Sequence, residues 1–324
     1  IAMAMAWKGL GVWSLAVQSV VLQLLTVIFL YLMCKLKINF RFSRSALSEL
    51  WPFSSRLFFS GLLDTIFFNL DALIIGKLLS PATLGYYHRA KSLENFGFRY
   101  TASTIASVLL PGLSSLQNDP VNFRQAVIKI YRLLSFVSFL GSGLLLVGGR
   151  EIIIILFSAK WEPAVVMFQI LIAGAFADQI FTLIYNVLLS TGNSKTYLSI
   201  NLVNKTLLVI NFLLIFLFLD LRIYLIGFSL VRIVIFCLGL IIISKRMNLK
   251  MILYGYTLKI FLTYGLTASL VLLFKSSINV SNLYGSLIFP CLSFLILFLL
   301  LTYLINREIF CDFFKEIKSL AAKI

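Results

Sequence analysis

Charge is scarce in this chain. Asp, Glu, Lys and Arg together make up 12% of its 324 residues, roughly half the share usual in a soluble domain. Histidine is nearly absent: His88 stands alone, so neither a histidine-centred metal site nor a Ser-His-Asp set can be assembled. No glycine-rich loop ends in Lys-Ser or Lys-Thr, so the chain carries no phosphate-binding loop of an ATPase. The four cysteines, Cys34, Cys237, Cys291 and Cys311, form no CxxC pair and read as small hydrophobes in or beside apolar runs. No basic n-region precedes the opening IAMAMAWKGLG, so it is not a signal peptide and is expected to be the tail of an earlier helix. No metal and no cofactor is expected, and an enzyme is not.

What is abundant is apolar. Hydrophobic residues are 60% of the chain and the mean hydropathy is +1.01. A water-soluble protein of this size could not cover so much greasy surface, so lipid is the expected solvent. The net charge of +16 does not point to nucleic acid, because Lys and Arg are scattered between apolar stretches rather than gathered on one face.

A membrane-spanning helix needs about 20 predominantly apolar residues. Nine stretches qualify: Leu10–Cys34, Leu57–Leu78, Leu84–Leu110, Ala126–Val147, Ala164–Leu189, Tyr197–Leu219, Ile223–Ser244, Ile252–Phe274 and Gly285–Leu304. The fold class is therefore all-α, a polytopic membrane protein joined by short connections. Ser80-Pro81 and Glu162-Pro163 read as helix starts. Pro111-Gly112 should end or kink the third span, and Pro290 should bend the ninth. Trp51 and Trp161 are expected just outside spans, at headgroup level.

Loop charge gives an orientation. Lys35, Lys37, Arg41 and Arg44 follow the first span; Arg124, Lys129 and Arg132 follow the third; Lys195 follows the fifth; Lys245, Arg246 and Lys250 follow the seventh. The tail adds Arg307, Lys315, Lys318 and Lys323. The opposite connections hold far fewer: Lys77, Arg150, Lys160, Arg222 and Lys275. By the positive-inside rule the C-terminus is cytoplasmic.

Against this background the charges inside the spans stand out. FSGLLDTIFFNLDALIIGKL carries Asp64 and Asp71, seven residues apart and so within about 20° on one helical face. Arg56 and Ser60 lie on the same side. A carboxylate in hydrocarbon costs about 2.5–3.5 kcal/mol even on lenient scales, so this stripe must face protein or water. The next span, LGYYHRAKSLENFGFRY, adds His88, Arg89, Lys91, Glu94 and Arg99. Lys91 and Glu94 are spaced to pair within their own helix, and an aspartate of the preceding span is a natural partner for Arg89 or Arg99. Asp178, Lys205 and Arg232 follow in the fifth, sixth and seventh spans. One reading makes all of these helix-to-helix ion pairs. The other has them line a polar cavity for an anionic or hydrated substrate, with Asn69 as an interhelical hydrogen bond.

Several stretches resemble a known family. DALIIGKLLSPATLGYYHRAKSL and VLLPGLSSLQND resemble bacterial lipopolysaccharide O-antigen flippases, the polysaccharide-transporter branch of the multidrug/oligosaccharidyl-lipid/polysaccharide superfamily, with colanic-acid-type exporters the nearest subgroup. FSAKWEPAVVMFQIL, LLSTGNSK and GLGVWSLAVQ look like helix junctions of the same family. The resemblance is strongest from Leu57 to Leu116 and weak after about Tyr254.

It implies two six-helix lobes around a central cavity, of which this chain would hold the second. Residues 1–52 would be the last helix of the first lobe and a linker, 53–250 the second lobe, and 251–324 two additional helices with a basic tail. A chain lacking most of the first lobe should not transport alone. The implied cargo is a polyprenyl-pyrophosphate-linked oligosaccharide, moved across the bacterial inner membrane by lobe rocking around a midplane site. On that view Arg56, Arg89, Lys91, Arg99, Lys205 and Arg232 would hold pyrophosphate and glycan. Asp64, Asp71, Glu94 and Asp178 would bind a coupling ion or hold those cations in place. The implied partners are this lipid-linked oligosaccharide, membrane lipid and other polysaccharide-assembly membrane proteins. A cation-coupled multidrug exporter, a polymerase or ligase on the same lipid-linked sugar, and a structural membrane subunit are the alternatives.

Overall fold

A computed structural model describes residues 7, 13–34, 43–99, 109–277 and 283–307. Among these the regular elements are all helical: α1 (Trp13–Cys34), α2 (Arg44–Leu78), α3 (Pro81–Glu94), a π-helical turn (Asn95–Arg99), α4 (Pro120–Phe157), a 3₁₀ turn (Ala159–Trp161), α5 (Pro163–Ser190), α6 (Ser194–Phe218), α7 (Leu221–Arg246), α8 (Lys250–Ser277) and α9 (Leu283–Ile305). Residues 109–115 are helical as well. The chain is an all-α polytopic membrane protein. Seven helices, α2 and α4 to α9, are long and apolar enough to cross a membrane. Of the other two expected spans, the first holds a shorter apolar stretch, Val17–Met33, within α1. Of the third, α3, the π-turn and the helical residues from 109 onward are described, and 100–108 lie outside the described residues.

The chain divides into two compact units, Ile1–Trp51 and Pro52–Ile324. In the first, α1 exposes large apolar side chains around its circumference, among them Leu22, Leu24, Leu25, Val27 and Phe29. Ser19, Gln23 and Thr26 form a narrow polar strip on one side, and the rest of its surface is apolar. The second unit holds the remaining helices and the polar cleft described below.

Several boundaries differ from the sequence reading. α2 starts at Arg44 rather than near Leu57, so Trp51 lies within a helix. At 35 and 38 residues, α2 and α4 are ~52 and ~57 Å long, well beyond the ~30 Å hydrocarbon core. Their first turns therefore stand outside it. The helix at 109–115 runs through Pro111 and Gly112 and stops at the turn over 116–118, so that pair is not the terminator. Ser80 caps α3 as expected, its Oγ accepting from the Thr83 N–H at 3.1 Å. Glu162 makes no cap bond; its carboxylate is held at 2.7 Å by Arg150 instead.

α5 is the central helix. Its most apolar stretch is 67% buried, against 18–44% for the other six spans. Around it the helices approach closely through small residues, which association in lipid requires because no hydrophobic force acts between helices there. A Cβ on Gly174 of α5 would stand 3.0–3.1 Å from Ser229 of α7, and a Cβ on Gly143 of α4 would collide with the Phe294 ring of α9. Lys275 of α8 donates to Glu151 and to the Val147 carbonyl of α4, each at 2.7 Å.

Contacts at the helix ends fix the alternation. Arg124 at the start of α4 donates to the Asn248 carbonyl between α7 and α8, Arg246 to Thr196 of α6, and Arg56 to Ser194. Arg124 and Arg246, from two of the basic connections, thus meet at one end of the bundle; Lys35, Lys37, Arg41, Lys315, Lys318 and Lys323 lie outside the described residues. At the other end, Arg89 of α3 lies over Phe157 and Trp161.

Candidate functional site

A cleft of about 650 Å³ opens into the second unit, lined by side chains of α2, α3, the π-turn, α5, α6 and α7. Seven charged residues of the spans meet there: Asp64, Asp71, Lys91, Glu94, Asp178, Lys205 and Arg232. They form three groups, each joining different helices.

The first group lies between α2 and α3. The buried Asp71 carboxylate accepts from both the Tyr87 hydroxyl and Lys91 Nζ. Lys91 and Tyr87, four residues apart on one helical face, also contact each other at 2.8 Å. The second joins α2 to α6. Lys205 Nζ sits 2.6 Å from Asp64 Oδ1, and Asn201 Nδ2 donates to Asp64 Oδ2 at 3.2 Å and to the Ser60 carbonyl at 3.3 Å. The third joins α3, α5 and α7: Arg232 Nη1 reaches Glu94 at 2.5 Å and the Leu171 carbonyl at 3.2 Å, and Arg232 Nε lies 3.0 Å from Asp178.

The cleft is not basic. Four carboxylates face three cations, and the charges with most exposure are two of the carboxylates. Side-chain exposure is 11% for Lys205, 12% for Arg232 and 14% for Lys91, whereas Asp64 keeps 48% and Asp178 55%. Aromatic faces make up much of the remaining wall, including Phe67, Phe68, Phe212, Tyr224 and Phe228. Lys205 stands over Phe67 and Arg232 over Phe228, so the rings cover the cations as well. Two buried polar atoms of the lining, Glu94 Oε2 and the Tyr224 hydroxyl, have no partner among the described residues.

The sequence expectations divide accordingly. Asp64 and Asp71 do share one polar face and one cleft, joined by Lys91, Glu94, Asp178, Lys205 and Arg232. Lys91 does not pair with Glu94; it reaches back to Asp71, and Glu94 turns to Arg232. Arg89 is not in the cleft. It sits two residues, about 200° of helix, from Lys91, so both cannot face one cavity, and its guanidinium stacks at 4.7–4.8 Å on Phe157 and Trp161. Arg56 is also elsewhere, 3.3 Å from Ser194. The Arg99 and Asn69 side chains lie outside the described residues.

Three contributors are not evident in the sequence. Tyr87 reads as bulk aromatic, although its i, i+4 spacing to Lys91 was available. Asn201 lies on a helix otherwise read for Lys205. Gln179 donates to the Phe98 carbonyl, a main-chain group within the π-turn; such turns free a carbonyl from the helical ladder, and no sequence pattern announced this one.

A family model for polysaccharide biosynthesis proteins matches residues 1–166, half of the chain, including Asp64, Asp71, Lys91 and Glu94. The chain belongs to that family. No curated protein resembles it closely enough to count as a match. In this polysaccharide biosynthesis protein the acidic members of the cleft thus fall mainly within the matched half. Lys205 and Arg232, which hold Asp64 and Glu94, come from helices beyond it.

Proposed function

We propose that this polysaccharide biosynthesis protein is a flippase moving a polyprenyl-pyrophosphate-linked oligosaccharide across the bacterial inner membrane, through alternating access around the cleft. It makes or breaks no bond; it moves a hydrated headgroup past hydrocarbon. The observation that carries this reading is a cleft of about 650 Å³ with seven charged side chains on five helices in a chain whose remaining helical surface is largely apolar. Charge at that depth persists where it lines a polar path.

The same geometry supports one end of the cargo over the other as the occupant of the cleft. Lys91, Lys205 and Arg232 are already committed to carboxylates, so a pyrophosphate entering here would meet Asp64 and Asp178 first. Sugar hydroxyls instead donate to exposed carboxylates, and sugar rings lie against Phe and Tyr faces. We therefore place the glycan in this cleft and the pyrophosphate outside it.

One observation favours a second reading. Exposed carboxylates beside aromatics also suit a lipophilic cation, the cargo of a cation-coupled multidrug exporter. Family membership weighs for the glycan. Deleting the complete gene in its own host separates the two. Accumulation of lipid-linked oligosaccharide in the cytoplasmic leaflet, reversed by wild type but not by Asp64→Asn/Asp178→Asn at equal membrane abundance, is the expected result. Unchanged surface polysaccharide with raised ethidium sensitivity would establish the exporter instead.

A further inference from the structure

A second concavity, about 860 Å³, lies at the basic end of the bundle, where the starts of α4 and α8 meet the ends of α5 and α7. Its walls are of two kinds. Val121, Ile128, Met247 and Ile252 supply apolar surface, and Arg124 and Arg246 supply two guanidinium groups. Both arginines are exposed. Each is anchored by neutral acceptors: Arg124 Nη2 donates to the Asn248 carbonyl at 2.7 Å, and Arg246 Nη2 donates to the Thr196 hydroxyl at 2.9 Å and, with Nη1, to the Asn193 side-chain carbonyl oxygen. Among the described residues neither ion-pairs with a carboxylate, in contrast to every cation of the central cleft. The anchoring holds each guanidinium in place and still leaves N–H donors on each for a ligand.

We propose that this concavity binds the phosphate headgroup of an anionic phospholipid, with the two guanidinium groups on the phosphodiester and an acyl chain against the apolar wall. Paired guanidinium donors match phosphate oxygens, and basic pockets between membrane helices on the cytoplasmic side suit such headgroups. Positive-inside placement puts this end in the anionic cytoplasmic leaflet. A free phosphate would use the arginines but not the apolar wall, so the lipid is the source the site fits. The inference does not depend on the cargo of the central cleft.

The test uses the full chain purified in neutral detergent. Native mass spectrometry follows retention of phosphatidylglycerol against phosphatidylcholine. Wild type should retain phosphatidylglycerol selectively. Arg124→Gln/Arg246→Gln should bind it about thirtyfold more weakly, whereas Lys195→Gln/Lys245→Gln, an equal loss of charge at exposed residues outside the concavity, should bind as wild type does. Equal loss in both double variants would reduce the effect to bulk electrostatics and overturn the site. Displacement of phosphatidylglycerol by millimolar inorganic phosphate would overturn the lipid as its occupant. If the glutamine pair does not fold, Arg124→Lys/Arg246→Lys keeps the charge and removes the planar fork. Unchanged selectivity there would also count against the proposal.

Discussion

Lys91 of α3 reaches across to Asp71 of α2, and the Tyr87 hydroxyl shares the same carboxylate. With the Asp71 and Lys91 side chains 4% and 14% exposed, each ion needs the other: removing one partner of a buried pair leaves an uncompensated charge. Lys91→Ala should therefore cost about 3–5 kcal/mol of stability, while a packed apolar pair, Lys91→Met with Asp71→Leu, should recover most of it. Thermal unfolding in detergent checks this. If the single and double variants melt alike, the pair is not the clamp described here.

Arg232 holds two carboxylates from two helices, Glu94 through Nη1 and Asp178 through Nε. A lysine presents its three donors from one nitrogen and lacks the separate Nη1 and Nε arms that reach the two carboxylates. Arg232→Lys is expected to destabilise by about 1.5–3 kcal/mol, the scale of one charge-assisted hydrogen bond, and adding Glu94→Gln should restore part of the loss. Asp178→Asn should cost less, about 1 kcal/mol at most, because that carboxylate is more than half exposed. Chemical denaturation of the four proteins gives the comparison, and an Asp178→Asn effect as large as Arg232→Lys would contradict it.

The membrane class, the positions of the helices and the shared face of Asp64 and Asp71 could be read from composition and periodicity, because lipid imposes length and helicity on every spanning segment. Helix ends were less legible: α2 and α4 continue past their apolar cores into water, where hydropathy carries no signal. Partner choice was the least legible. Lys91 and Glu94 have the spacing of an in-helix pair, yet both turn to other helices, and only the packing of α2 and α7 against α3 decides that. The sign of the cleft is hidden in the sequence for a related reason. Counting Arg and Lys along one span ignores that Arg89 and Lys91 face opposite ways and that Lys205 and Arg232 arrive with carboxylates attached.

The placement of Arg89 yields a direct discriminator. Its guanidinium rests on Phe157 and Trp161, away from the cleft, so Arg89→Ala should leave glycan transport intact and cost about 0.5–1 kcal/mol of stability, the value of an exposed cation–π contact. Trp161→Leu should reproduce the small stability loss. Surface polysaccharide in the complemented deletion strain is the decisive measurement: its loss with Arg89→Ala at normal abundance would return this residue to the transport path.

The contact between α4 and α9 offers the final test. Gly143 faces Phe294 so closely that an added Cβ would fall 1.9 Å from the ring Cζ, and Phe294 is fully buried. Such overlap cannot be absorbed at the tip of a rigid ring, so Gly143→Ala should destabilise by about 1–3 kcal/mol and loosen α9 from the bundle. Shortening the ring side, Gly143→Ala with Phe294→Leu, makes room for the methyl and should melt above Gly143→Ala alone. The contact lies between α4 and α9, neither of which lines the cleft, so the losses from Gly143→Ala and Lys91→Ala should add within about 0.5 kcal/mol. A large departure from additivity would mean that α9 and the cleft are mechanically coupled.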